Sequence, residues 1–145
     1  MKIQRVNKDQ IDDIANLLVK TFNSEPWNES WTYEMARERI SGLISNPMAI
    51  AYEVIEDNEA MAALIGYKTC YMSDKEFHIE EFFVSNKFQN KGYGTKILEF
   101  IESELRGKGV TSLTLLTEHG FPSEKFYEKS GFAYNKRLIF MKKKV

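Results

Sequence analysis

Gln89-Asn90-Lys91-Gly92-Tyr93-Gly94-Thr95 lies between a run of strand formers, Phe77 to Val84, and an apolar stripe at helical spacing, Ile97, Leu98, Ile101 and Leu105. A strand that feeds a glycine turn and then a helix start leaves several backbone N–H groups without intrahelical partners. Together with the positive end of the helix dipole, those donors suit a pyrophosphate. Glycine lets the main chain approach such an anion without a Cβ in the way. Two common nucleotide loops do not fit. The Walker pattern of two glycines five apart followed by Lys and Ser/Thr is missing, and the dinucleotide fingerprint would need glycine at position 97, which is Ile97. What remains is Q-x-x-G-x-G at the start of an amphipathic helix.

Outward from this turn, the pattern predicts a helix over about 95–106 closed by Gly107 and Gly109, and a compact buried strand from Leu113 to Leu116. Pro122 opens a short helix that Gly131 stops, and Phe132 to Lys143 reads as one or two final strands. On the N-terminal side, Ile3 to Val6 is a short strand, and Asn7 with Gln10 forms a capping box. Ile11, Ile14, Leu17, Leu18 and Phe22 mark the helix behind it, to residue 22. A loop from Asn23 to Trp31 holds Pro26, and a second helix, striped by Tyr33, Ala36, Ile40, Leu43 and Ile44, ends before Asn46-Pro47. Met48 to Ile55 and Met61 to Met72 read as an antiparallel hairpin turned at Glu56–Glu59, and Ser73–Glu76 as a further turn. The order β-α-α-β-β-β-α-β-α-β-β predicts one mixed sheet with helices, an α/β or α+β fold in a single domain over residues 1–145.

Composition agrees with a globular domain: 145 residues, 43% hydrophobic and 28% charged. The 20 basic and 21 acidic residues leave a net charge of -1, which implies neither a nucleic acid nor an anionic membrane as partner. A lone cysteine, Cys70, excludes an intrachain disulfide and a multi-cysteine zinc site, and no metal is expected. No stretch approaches the length of a membrane span and the first residues lack a signal peptide's apolar run, so the expectation is cytoplasmic.

Three features in order, Phe82-Phe83-Val84, the Q-x-x-G-x-G turn, and Phe126-Tyr127-Glu128-Lys129-Ser130-Gly131-Phe132, resemble the GNAT superfamily of N-acetyltransferases over essentially the whole chain. The resemblance implies a mixed central sheet with helices on both faces and a pair of splayed central strands whose gap takes pantetheine. It implies acetyl-CoA as co-substrate. By similarity the backbone of Phe82 and Val84 pairs with pantetheine, the amides of Asn90, Lys91, Gly92, Tyr93, Gly94 and Thr95 hold the pyrophosphate, and Gln89 buttresses the turn. Lys91 either adds a charge to the phosphates or faces solvent. Tyr127 falls on the family's catalytic tyrosine. Where many relatives have a cofactor-contacting asparagine, this chain has Gly120, which puts that contact in doubt. Homodimers are common in the family; the residues themselves do not disclose the oligomeric state.

The chemistry supports such roles. Attack of an amine on a thioester releases a thiolate, which a nearby phenol can protonate; reference pKa values near 10 for tyrosine and about 8.5 for a thiol are modestly mismatched. An alkyl amine is neutral at pH 7 only on the order of one part in a thousand, a penalty of about 4 kcal/mol that a carboxylate base relieves. Strand alternation would put His78, Glu80, Phe82 and Val84 on one face and Ile79, Glu81 and Phe83 on the other. By family position Glu80 is the expected base, with Glu81 the alternative and His78 an outside candidate.

Acceptor choice is expected in the loop Asn23–Trp31, which holds both tryptophans, Trp27 and Trp31, beside Glu25 and Glu29. Indole faces and carboxylates suit a small cationic amine, polyamine-like or aminoglycoside-like; alternatively the tryptophans pin the loop to the core. Three functions compete: transfer to a small-molecule primary amine, transfer to a protein lysine or N-terminus, and a non-catalytic acetyl-CoA-binding module.

Overall fold

A computed structural model describes residues 1–145. β1 (Lys2–Arg5) leads through a 3-10 turn at Lys8–Gln10 into α1 (Ile11–Phe22), followed by α2 (Tyr33–Ile44), β2 (Ala49–Glu56), β3 (Glu59–Tyr71) and β4 (Asp74–Val84). Then come α3 (Tyr93–Gly107), β5 (Ser112–Leu115) and α4 (Pro122–Lys129). The strands form one sheet in chain order. β1 pairs antiparallel with β2 although α1 and α2 lie between them in the chain, β2, β3 and β4 pair antiparallel through short turns, and α3 carries the chain across to β5, which lies parallel to β4.

Local signals act where the residues place them. Asn7 accepts a hydrogen bond from the Asp9 amide at 2.8 Å while Gln10 Oε1 accepts from the Asn7 amide at 2.9 Å, forming the capping box ahead of α1. Thr32 Oγ1 accepts from the Met35 amide and starts α2. Asp57 and Asn58, both at positive φ, make the tight β2–β3 turn, so both strands run closer to it than the composition of the segment predicts.

Two apolar clusters sandwich the sheet. On one face Ile50, Tyr52, Val54, Leu64, Phe77 and Ile79 pack against Ile97, Leu98, Ile101 and Leu105 of α3. On the other, Ala51, Ala63, Ile65 and Phe83 pack against Ile14, Leu18, Ala36 and Ile40 of α1 and α2. Gly66 permits a close approach between β3 and β4: a Cβ there would lie 2.3 Å from the His78 carbonyl oxygen and 2.6 Å from the Phe77 ring.

Three expectations need correction. The alternation assumed along β4 fails, because a bulge intervenes: Ile65 faces Glu81 but Gly66 faces Ile79, so Glu80 is the extra residue. Ile79 therefore shares the α3 face with Phe82 and Val84, while Glu81 and Phe83 look toward α1 and α2. Second, no strand forms over Phe132–Lys143. The Leu138 amide donates to the Asn135 carbonyl in a turn, and the segment pairs with no strand of the sheet. Third, α3 begins at Tyr93, two positions before the helix read from Thr95 onward, since Gly92 at φ +80° already makes the reversal.

Candidate active site

β4 and β5 pair only over Glu76–Ile79 and Ser112–Leu115. From Glu80 to Val84, β4 runs on without a strand on that side, so β4 and β5 part at the edge of the sheet. The Ser85 amide donates to the Met61 carbonyl across to β3. Antiparallel alternation then turns the N–H and C=O groups of Phe82 and Val84 into the gap. Gln89 takes up one of them: its Nε2 donates to the Val84 carbonyl at 2.8 Å and to Asn86 Oδ1 at 3.1 Å. This side chain ties the turn to the end of the strand.

The turn has Asn90 and Gly92 at positive φ, and no side chain caps α3. The first intrahelical bond there runs from the Lys96 amide to the Gly92 carbonyl, which leaves the amides of Tyr93, Gly94 and Thr95 as the free donors of the first turn. Tyr93 packs edge-on against Phe88, 5.7 Å between centroids. Lys91 Nζ donates to the Lys87 carbonyl at 2.8 Å, so its ammonium is folded back along the turn.

Phe126 of α4 joins these parts. A Cβ on Gly94 would be 3.3 Å from its ring, and Phe82 lies 6.0 Å away between centroids. The neighbouring Tyr127 is half-buried, edge-on to Phe126 at 5.2 Å and to Phe132 at 5.4 Å. Burial, followed by the negative charge of Glu81, pushes its phenol well above the ordinary tyrosine range. The phenol is therefore protonated at any physiological pH.

Sequence reasoning missed Arg39. Its Nε donates to Glu81 Oε1 at 2.5 Å, and its Nη2 lies 3.8 Å from Glu80 Oε2. An arginine four helical positions before Leu43 carries no sign of this role, because its partners are more than forty residues away in the chain. Glu81 is 12% exposed; burial raises its carboxyl pKa against the opposing pull of Arg39, and the like charges of Glu80 and Glu29 push it further up. Glu80, on the bulge, is 29% exposed, with His78 Nε2 3.8 Å away. His78 also bridges the two parting strands, its Nδ1 2.8 Å from Thr114 Oγ1.

The Asn23–Trp31 loop folds toward the same end of β4. Trp27 packs edge-on against Phe22, which in turn touches Phe83, 5.2 and 5.5 Å between centroids. Trp31 Nε1 donates to Glu29 Oε2 at 3.2 Å, and Asn23 bonds both the amide and the carbonyl of Trp31. Both tryptophans thus anchor the loop. Glu29 reaches close enough to act electrostatically on Glu81. Gly120, at φ +85° in an exposed loop, has nothing within 4 Å of its Cβ position.

No curated protein sequence matches the chain. Among solved structures, the apo aminoglycoside 6'-N-acetyltransferase AAC(6')-IG of Acinetobacter haemolyticus superposes with a TM-score of 0.76 at 15% identity, covering 100% of this chain and 99% of that one. AAC(6')-Iy, in complex with the bisubstrate analog CoA-S-monomethyl-acetylneamine, gives 0.74 at 15% identity, with 99% and 98% covered. The ribosomal-protein-alanine N-acetyltransferase of Brucella melitensis gives 0.77 at 14% identity, with 98% and 99% covered. At such identities these likenesses establish the fold. A family model, acetyltransferase (GNAT) family, matches residues 11–132 of the sequence itself. The chain belongs to the GNAT acetyltransferase family and is an acetyl-CoA-dependent N-acetyltransferase.

Proposed function

We propose that the chain transfers acetyl to the primary amine of a small cationic molecule, directly from acetyl-CoA. The observation that carries this reading is the pair Glu80 and Glu81 gathered around Arg39 on β4, with Glu29 close enough to act on Glu81 and Glu81 close enough to act on the Tyr127 phenol. Arg39 faces Glu80 and Glu81, and His78 Nε2 lies 3.8 Å from Glu80. Such a site attracts an ammonium group and disfavours an anionic acceptor.

The residues present fit the cofactor. The uncapped amides at Tyr93–Thr95 offer donors to a pyrophosphate, and the free edge of β4 at Phe82 and Val84 offers a strand-like partner to pantetheine. The Val84 carbonyl is already held by Gln89, so its N–H and the groups of Phe82 would do the pairing. Bound there, acetyl-CoA supplies an activated acetyl thioester. Asn90, Lys91 and Gly92 would shape the turn, with Lys91 contributing charge only after leaving the Lys87 carbonyl.

Glu80 is the proposed base. It lies on the bulge, half-exposed, with only distant ion partners, so its oxygens are free to accept the amine proton directly or through water. Glu81 is held by Arg39 and sets the local field. Tyr127 donates its proton toward the departing thiolate sulfur. Its raised pKa makes complete transfer uphill, so its main contribution is a hydrogen bond to the charge as it develops. Trp27, Glu29 and Trp31 form the acceptor wall, with the indoles fixing the loop and Glu29 meeting the cation.

Thiol release from acetyl-CoA with a panel of polyamines, aminoglycosides and lysine or N-terminal peptides tests this. Turnover with small polycations, lowered by Glu80→Gln, is expected. Turnover confined to peptides would move the acceptor to protein, and cofactor binding without turnover on any amine would contradict catalysis.

A further inference from the structure

Carboxylates that draw an ammonium group also hold its proton in place, since nearby anions favour the charged form of an amine. An amine acceptor attacks only in its neutral form. A cation set beside the carboxylates works against that hold, and Arg39 stands there. Its place is fixed from both ends. Ala36 and Ile40, on the same helix α2, are fully buried and seat the backbone. At the other end Nε donates to Glu81 Oε1 at 2.5 Å, and Glu81 is 12% exposed. Successive residues of a regular strand face opposite ways, but the bulge at Glu80 lets both glutamates meet one guanidinium. Nη2 thereby comes to 3.8 Å from Glu80 Oε2. That gap is too long for a hydrogen bond, so this oxygen stays open to an acceptor.

We infer that Arg39, pinned by Glu81 next to Glu80, repels the ammonium that Glu80 receives and so favours the neutral, attacking amine. A nitrogen bonded to Glu80 Oε2 lies at most about 7 Å from Nη2, one hydrogen-bond length beyond the 3.8 Å gap. Two like charges at that separation near a protein surface shift a pKa by on the order of one unit. The proton passes through Glu80, which is 29% exposed, to water, and the freed lone pair attacks the acetyl carbon. Other titratable groups face this place: His78, whose Nε2 is 3.8 Å from Glu80 Oε1, Glu29 from the loop, Glu38 beside Arg39 on α2, and the Tyr127 phenol from α4. None of them carries the fixed positive charge of an arginine. The inference rests on Glu80 as the base and not on the class of amine.

The rise of kcat with pH, at saturating acetyl-CoA and amine, reports deprotonation of the bound amine. It is measured for the full chain, Arg39→Lys, Glu81→Gln and Glu81→Gln with Arg39→Gln, using whichever of spermidine, neamine and a lysine peptide the full chain acetylates fastest. Glu81→Gln removes a carboxylate that would take up a proton itself once Arg39 is gone, and its amide oxygen still accepts from Nε. Adding Arg39→Gln to it is expected to move the half-rise up by about one pH unit, lowering kcat at pH 7 about tenfold while the amine KM also falls. Arg39→Met in the same background repeats the comparison if the glutamine pair folds poorly. Arg39→Lys keeps the charge and should hold the half-rise within about 0.3 unit of the full chain. A kcat loss equal at every pH, with the half-rise unmoved, makes Arg39 structural and overturns the inference while acetyl transfer stands. So does Arg39→Lys displacing the half-rise by a full unit. A full chain that acetylates none of the three amines overturns the reading of the site and this inference with it.

Discussion

Every fully buried residue lies between Ile11 and Val110, whereas β5 and α4, with everything after them, contain none. The first region is a sheet clamped by α1 and α2 on one face and α3 on the other, and it holds the glycine turn after Gln89 and the carboxylates of β4. The second region supplies Tyr127, supported by Phe126 and Phe132 at its flanks. The contrast shows where precision is built in. The turn and the carboxylates proposed to meet charge rest on the buried part, and the proposed phenol donor rests on a segment with no buried residue.

The largest expected effect separates the two regions by stability. Phe77→Ala should lower unfolding free energy by about 3–5 kcal/mol in urea titration, as for a fully buried ring. Phe132→Ala, partly exposed, should cost less than half of that; equal losses would erase the contrast. Next, Tyr127→Phe should lower kcat by about 100-fold while the melting temperature stays unchanged, because the phenol is held by ring packing. A parallel fall in stability would make the residue structural.

Two glycines sharpen the comparison further. Gly66→Ala drives a Cβ into backbone and a buried ring, and should destabilise by about 1–3 kcal/mol or more. Gly94→Ala meets only the Phe126 ring at 3.3 Å, so α4 should yield, with little change in stability and a measurable loss of activity. The smallest effect concerns Glu53, 2% exposed in β2 and bonded by Gln4 Nε2 at 2.9 Å. Burial raises its carboxyl pKa, so the folded state favours the protonated form: stability from this group is complete at low pH and falls as pH rises through the raised value. Glu53→Gln should therefore stabilise the protein at pH 7 and make little difference below pH 4, as followed by thermal melts.

Much of this was legible in the sequence because the signals were local. The capping box at Asn7, the apolar stripe of α3 and the glycine turn after Gln89 each report on a few neighbouring residues, and each element formed. The bulge at Glu80 was not legible. It depends on Gly66 of the neighbouring strand accepting the Phe77 ring across it, so side-chain alternation misplaced Ile79. Arg39 escaped for the same reason, its carboxylate partners being distant in the chain. The final strands were read from composition, but a strand needs a partner, and the run from Leu138 to Met141 stays exposed and pairs with no strand.

Calorimetric titration with coenzyme A, set beside pantetheine lacking the diphosphate, bears most directly on the turn at Gly92 and the open edge of β4. Saturable one-site binding of coenzyme A is expected, with pantetheine weaker by at least about tenfold because the amides of Tyr93–Thr95 lose their anion. No binding of coenzyme A, or equal affinity for the two, would contradict it.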